Sequence, residues 1–227
     1  MKKNIFALTI FCLLSEVFAF PVSAYQSWIE RECPKEADVE LVFTSSYGKL
    51  KYITGRSSDY LQKQAPEKAE KGYKILGLTV PNPTLEVNIE TSVIAPSVGD
   101  DVCVVPKRVE IFFGYIDPVI YIASDLKNKK CRKALTLRHE QTHQQINILA
   151  LTYFLPQMKK LIRKKVDTLK PVIVNNNRRK KAAEQMNDVI MNRMSDLVAQ
   201  FNNFLSQEQD KLDNQQNYDF EASVCND

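Results

Sequence analysis

The first half of the chain alternates between short apolar runs and turn-forming residues, and this pattern predicts β structure from Val39 to Ser124. The runs are rich in Val, Ile, Tyr and Phe, and clusters of Pro, Asn, Asp and Gly break them, which is typical of strands joined by turns. Glu86, Asn88 and Glu90 alternate with apolar neighbours, so we expect one face of that strand to be in water. The predicted strands are Leu41–Phe43, Tyr73–Val80, Leu85–Ile94, Val102–Phe113 and Val119–Ile122.

Beyond residue 126 the apolar positions recur at a helical period. Residues 130 to about 155 contain no Gly or Pro and predict one helix, and Pro156 is expected to open a second helix that ends at Leu169. A third helix is predicted from the start signal Asn175–Asn177 to about Gln209, with an apolar stripe that packs in the core. The predicted fold class is α+β: an antiparallel or mixed N-terminal sheet, then a motif-bearing helix and long C-terminal helices.

The N-terminus has the composition of a secretory signal peptide. Two lysines precede an apolar stretch from Ile5 to Phe20, and small residues favour cleavage after Ala24, with cleavage after Ala19 as the alternative. An uncleaved membrane anchor is the other interpretation, but the apolar run is short for a span. No other segment is apolar enough, so we expect residues 25–227 to form a single domain without a stable membrane span, β-rich over 39–124 and helical over 130–215.

Four cysteines remain after signal cleavage. An even number in an exported chain predicts two disulfides and allows three pairings. We expect Cys103–Cys131 beside the motif helix and Cys33–Cys225 joining the two ends. No Cys-x-x-Cys spacing occurs, which disfavours a cysteine zinc site.

The formal net charge is +4, from 31 Lys and Arg against 27 Asp and Glu. The basic runs at Lys159–Lys165 and Arg178–Lys181 contain no aromatic residues, so they are interpreted as solvated helix faces. A nucleic-acid partner is therefore not expected.

Both histidines of the chain lie in one pentapeptide, His139-Glu140-Gln141-Thr142-His143. On a helix, residues four apart lie one above the other, so both imidazoles can bind one ion, as in His-Glu-x-x-His zinc metallopeptidases. Glu140 is then placed to act as general base on a metal-bound water. A single histidine on an apolar helical face is usually just buried and hydrogen-bonded. Two at this spacing, with Glu between them, favour a zinc site.

The third protein ligand cannot be a histidine. No Glu occurs between Gln144 and Ala183, so a carboxylate ligand comes from Asp167 or from beyond residue 183. Two places stand out, Glu184 with Asp188 one turn later, and the late run Tyr218-Asp219-Phe220-Glu221. An oxyanion-stabilising hydroxyl is expected from Tyr47, Tyr115, Tyr121 or Tyr218.

A family resemblance rests on several of these features together. The signal peptide, the β-rich half with Cys103, the run Leu137–His143, the long basic helical insert and the run Tyr218–Glu221 resemble a bacterial family of predicted secreted zinc-dependent proteases, catalogued mainly as a domain of unknown function. The resemblance implies a zincin-like fold. We expect Glu221 to be the third zinc ligand, with Asp219 and Glu184 as alternatives. That family's late signature is Tyr-Asp-x-Glu-Thr-x-His-Gly, whereas this chain continues with Ala222-Ser223-Val224-Cys225. If the family's His is the ligand, this chain has lost it.

These features predict a secreted or periplasmic bacterial zinc metallopeptidase that acts on a peptide or protein. We expect an exposed strand near Val119–Ile122 to align the substrate by strand addition. The alternative is a catalytically inactive zinc-binding or structural envelope protein whose C-terminal helices bind a partner. A coiled-coil dimer through the apolar stripe of the third helix also stays open.

Overall fold

A computed structural model describes residues 29–66, 74–97 and 99–225, and the predicted signal peptide lies outside them. Strands and long helices occupy separate parts of the chain, which confirms the predicted α+β class. The strands are β1 (Glu40–Thr44), β2 (Lys51–Ile53), β3 (Gly77–Val80), β4 (Pro83–Ile94), β5 (Asp101–Tyr115), β6 (Val119–Ile122) and β7 (Val172–Asn175). The main helices are α1 (Ser58–Gln64), α2 (Lys130–Val166), α3 (Arg179–Leu212) and α4 (Gln215–Val224).

The larger sheet is built around β5, with which three other strands pair. β4 runs antiparallel to it, β1 runs parallel to it, and β7 pairs antiparallel with its first residues. Val104 and Val109 of β5 are fully buried, as expected for a strand inside a sheet. The polar residues of β4, Glu86, Asn88 and Glu90, are exposed as predicted.

β7 was not predicted. It lies in the helical half, where Pro171 and Asn175 had been interpreted only as helix end and start signals. The three residues Val172–Val174 are β-branched and favour an extended backbone, and a paired edge of β5 stabilises it.

The smaller sheet has the order β2, β6, β3. β6 pairs parallel with β2 and antiparallel with β3, so the expected exposed strand at Val119–Ile122 is wrong: both its edges are occupied. β3 instead forms an edge of this sheet within the described residues. It also packs against the part of α2 that carries the motif.

α2 continues through Pro156, so the prediction of two helices meeting there is wrong. Proline removes one backbone hydrogen bond and clashes with the preceding turn, at a cost of ~3 kcal/mol. Phe154, Met158 and Ile162 lie on both sides of it and are almost fully buried. Burying one such side chain stabilises by ~1.5–3 kcal/mol, so the continuous apolar stripe outweighs the proline.

α2 and α3 lie antiparallel and share one core with the larger sheet. The ring centroids of Phe154 and Phe201 are 5.7 Å apart, and Phe113 of β5 lies 5.2 Å from Phe201. The apolar stripe of α3 therefore packs against the larger sheet and α2, as predicted, rather than against a coiled-coil partner. Among the helices of the described residues, none is both long and apolar enough to cross a membrane.

Two disulfides are present, as predicted, but the expected pairing is wrong. Cys33 bonds to Cys103, and Cys131 bonds to Cys225. Cys103 on β5 faces the segment that precedes β1, and Ile29 packs beside it. Cys131 lies in the first turn of α2, where α4 ends. The second disulfide therefore ties the C-terminus to the start of the motif helix.

Candidate metal centre

The three motif residues lie close together and buried on α2. His139, Glu140 and His143 are 7%, 5% and 6% exposed, and their potential ligand atoms lie within 4.8 Å of one another. The Nε2 atoms of the two imidazoles are 3.1 Å apart. The predicted convergence of the histidines on one helical face is confirmed, and this cluster is able to hold a metal ion.

A carboxylate from the end of α3 faces the same point. Oδ1 of Asp213 lies 3.1 Å from Nε2 of His139 and 3.1 Å from Nε2 of His143. Ligands held ~2.0–2.1 Å from a tetrahedral zinc ion are ~3.3 Å apart. A triangle with sides of 3.1 Å is close to this separation, so the three groups fit a zinc ion.

The outer nitrogens of both imidazoles face oxygen acceptors. Nδ1 of His139 lies 3.2 Å from Oε1 of Glu221, and Nδ1 of His143 contacts Oε1 of Gln209 at short range. The amide of Gln209 is oriented by its nitrogen, which donates to Oδ1 of Asn147 at 3.0 Å. Each imidazole therefore donates its Nδ1 proton outward and turns the lone pair of Nε2 inward, the tautomer that a metal ligand needs.

The inward arrangement concentrates negative charge. Two nitrogen lone pairs and one carboxylate oxygen repel each other unless a proton or a cation lies between them. Burial lowers the pKa of His139, but the hydrogen bond that the protonated imidazole donates to Asp213 and the charges of Glu140 and Glu221 raise it more, so the pKa lies above its ordinary value. The site thus favours positive charge.

Glu140 is held from β3. Oγ1 of Thr79 lies 2.8 Å from Oε2 of Glu140 and 2.9 Å from its carbonyl oxygen, and donates its one hydrogen to this pair. A Cβ atom on Gly77 would lie only 2.4 Å from Oε1 of Glu140. The close approach of β3 to α2 therefore requires glycine at position 77 and fixes the carboxylate beside the two histidines.

Of the four tyrosines considered, Tyr218 lies at the site. Its ring stacks on His139 at a centroid distance of 5.7 Å, and its hydroxyl donates to Oδ1 of Asp213 at 2.7 Å. Tyr47 bonds to Thr152, and burial raises the pKa of Tyr115, whose hydroxyl donates to the carbonyl of Asn147. Tyr121 packs against the ring of Tyr60.

The other predicted carboxylates lie elsewhere. Glu184 is exposed and 4.0 Å from Lys180, and ~38 Å of helix axis separates it from Gln209. Asp167 caps the far end of α2, ~36 Å from His143. Asp219 is exposed and accepts from Gln215. Glu221 does reach the site, but contacts the outer nitrogen of His139; its role as a metal ligand stays a prediction.

A cleft of about 380 Å³ opens beside these groups. Residues 74–77, which lead into β3, line it together with Arg132, Leu135 and Thr136 of α2. Asp213, Tyr218 and Glu221 line it as well. The cleft therefore reaches His139 and Glu140 of the motif, and it meets β3 at that strand's first residue.

Sequence reasoning missed four residues of the site, Gly77, Thr79, Gln209 and Asp213. Gln209 and Asp213 had a signal: they lie four and eight positions after Leu205, where the inward stripe of α3 turns from apolar to polar. Gly77 and Thr79 lie in a predicted strand, but the packing of that strand on the motif helix depends on the tertiary fold.

Comparison with protein-family models, with curated proteins and with solved structures finds no match. The functional argument therefore depends on the geometry of the His139–His143 cluster.

Proposed function

We propose that the protein is an exported zinc metallopeptidase of the His-Glu-x-x-His type. The observation that carries the proposal is the inward convergence of the two Nε2 atoms beside a buried glutamate. Two histidine nitrogens and a carboxylate bind zinc or iron in known sites, and the His-Glu-x-x-His pattern with its glutamate base favours zinc. A zinc ion bound there supplies Lewis acidity, which lowers the pKa of water and polarises a carbonyl oxygen.

Three residues near the proposed zinc site have separate roles in the hydrolysis. Glu140 accepts a proton from the attacking water and delivers it to the amine that leaves when the peptide C–N bond breaks. Thr79 donates to Oε2 of that carboxylate, which limits its rotation, and Glu140 lines the cleft. Tyr218 borders the same cleft; its hydroxyl, which donates to Asp213 in this structure, would turn away from that oxygen to donate a hydrogen bond to a developing oxyanion.

The cleft favours an extended peptide as substrate. Within the described residues β3 pairs with β6 alone, so its second edge offers backbone groups to a peptide strand. β3 begins at Gly77, which lines the cleft beside Glu140, and the side chain of Thr79 contacts Glu140. Strand addition at β3, rather than at β6, would place a peptide bond beside the histidines.

Export is supported by covalent structure. Two disulfides are typical of the periplasm or the extracellular space and unusual in the cytoplasm. The predicted N-terminal signal peptide agrees with this location, and the mature protein would meet its substrate there.

The test uses the full chain expressed with its N-terminal segment in a bacterial periplasm. We expect about one zinc per molecule by elemental analysis, and hydrolysis of a peptide library followed by mass spectrometry. Glu140→Gln should keep the zinc and lose ~10²–10⁴ in rate, because it cannot accept a proton. Glu184→Gln, an exposed carboxylate on α3, is the matched control and should retain both.

Three results would contradict the proposal in part or in whole. Metal-free wild-type protein, purified without chelator and unable to take up added zinc, would exclude the metal centre. Glu140→Gln that cleaves the library as fast as the wild type would exclude Glu140 as the base. A zinc-loaded wild type without any hydrolysis would favour the inactive zinc-binding alternative.

A further inference from the structure

We infer that Asp213 is the third protein ligand of the metal, and that Glu221 and Gln209 are positioning residues that orient the two imidazoles. The inference rests on the proposed function only in requiring that a metal binds His139 and His143. It changes the expected ligand set, in which Glu221 was the third ligand.

The case for Asp213 is that one of its oxygens is shared between both metal-binding nitrogens. Oδ1 lies at the same distance, 3.1 Å, from Nε2 of His139 and of His143. Its side chain is largely buried, at 15% exposure. The hydroxyl of Tyr218 donates to that same oxygen at 2.7 Å and so orients the carboxylate toward the two imidazoles. A cation between the three atoms would replace repulsion by attraction.

The position of Asp213 in the chain explains how it is held there. It is the C-cap of α3, and its backbone N–H donates to the carbonyl of Gln209 at 2.9 Å. Asn214 then caps the start of α4 through its side chain. The aspartate therefore lies in a tight connection between two helices, fixed on both sides, which suits a preorganised ligand.

The case against Glu221 as a ligand is the nitrogen that it contacts. It lies 3.2 Å from Nδ1 of His139, and the lone pairs of the two ring nitrogens point away from each other. Gln209 holds the equivalent place on His143, and an amide oxygen is a poor zinc ligand but a good acceptor for N–H. The two residues form matched outer contacts, which fix the tautomer and ring angle.

The experiment compares conservative and disruptive changes at both carboxylates. Zinc affinity is measured by chelator competition for wild type, Asp213→Asn, Glu221→Gln and Glu221→Ala. Asp210→Asn is the matched control, because that carboxylate lines the same cleft and lies on the same helix. Visible spectra of the cobalt-substituted proteins report the ligand set independently of activity.

We expect Asp213→Asn to lose more than ~100-fold in zinc affinity and to change the cobalt spectrum. Loss of a residue that only orients a ligand typically costs ~10–100-fold in affinity. Glu221→Ala should lose ~10–100-fold, and Glu221→Gln should recover most of it, since the glutamine oxygen still accepts the Nδ1 proton. Asp210→Asn should bind as the wild type does.

The inference holds if Asp213→Asn loses at least tenfold more affinity than Glu221→Gln, and any smaller difference overturns it. Near-ultraviolet circular dichroism shows whether Asp213→Asn folds. If it does not, the comparison of Glu221→Gln with Glu221→Ala is used instead, and an equal loss of zinc affinity in these two variants overturns the inference. Wild-type protein that takes up no zinc overturns the proposed function itself. Zinc-binding wild type with the reversed order of variants overturns only the assignment of Asp213.

Discussion

The two ends of the α2–α3 contact have the same backbone geometry and opposite chemistry. Toward the end of α2, Met158, Ile162 and Val166 are fully buried among apolar residues of α3 and the larger sheet. Toward its start, the same stripe becomes His139 and His143, and the facing stripe of α3 becomes polar too. The same pair of helices therefore contributes an apolar core at one end of its contact and a buried polar site at the other end.

The difference separates what stabilises the fold from what the site needs. Apolar burial at the far end stabilises by ~25 cal/mol per Å² with or without a ligand. Buried imidazoles and carboxylates cost free energy unless they are paired, so their arrangement is best satisfied when a cation is bound. The apolar end holds the helices in register, and that register brings Asp213 and Gln209 opposite the histidines.

The largest predicted difference between the two ends comes from one alanine substitution at each of them. Ile162→Ala should lower the free energy of unfolding by ~2–5 kcal/mol and leave zinc affinity unchanged, because the cavity lies ~29 Å along the helix from His143. His143→Ala should abolish zinc binding and change the metal-free stability by at most ~2 kcal/mol. Urea unfolding with excess chelator, and again with added zinc, measures both quantities.

Zinc at 100 times its dissociation constant should stabilise the wild type and Ile162→Ala by ~2.7 kcal/mol, and His143→Ala not at all. If zinc stabilised His143→Ala as much as the wild type, the metal would bind elsewhere and the two ends would not differ as described.

A smaller effect should follow from the strand that abuts the polar end. In Gly77→Ala the new methyl group meets Oε1 of Glu140 and displaces it, so we expect the turnover number to fall by ~10–100-fold with zinc affinity unchanged. Gly55→Ala is the matched control, since a Cβ atom at position 55 meets nothing within 4 Å. Steady-state kinetics on one cleaved peptide and chelator competition measure the two quantities. Equal turnover in both variants would show that β3 does not position Glu140.

Features of the fold and the site that depend on residues close together in the chain could be predicted from the sequence, and features that depend on distant residues could not. The histidine pair is a local feature, since a spacing of four fixes one helical face, and it was predicted correctly. The continuity of α2 through Pro156 was not, because packing of Met158 and Ile162 on other elements outweighs the local preference. The partners of the histidines come from residues 66 to 82 positions later in the chain. Their placement depends on the register of two packed helices, which periodicity alone does not determine.

The same reasoning applies to the disulfides, which offer a matched pair for the smallest predicted effect. The Cys33–Cys103 and Cys131–Cys225 bonds span 70 and 94 residues, so their loop-closure contributions differ by only ~0.3 kcal/mol. Replacing either pair with serines should therefore cost a similar ~2–5 kcal/mol. Only the second pair fixes α4, which carries Glu221 against His139.

We therefore expect the Cys131→Ser, Cys225→Ser variant to bind zinc ~10-fold more weakly, because the outer contact to His139 loosens while Asp213 and His143 keep their places. The Cys33→Ser, Cys103→Ser variant should bind zinc as the wild type does. Chelator competition at a temperature where both variants remain folded makes the comparison, with urea unfolding to verify the matched loss of stability. Equal zinc affinities in the two variants would show that α4 holds its place at the site through packing on α2, and that the disulfide adds stability alone.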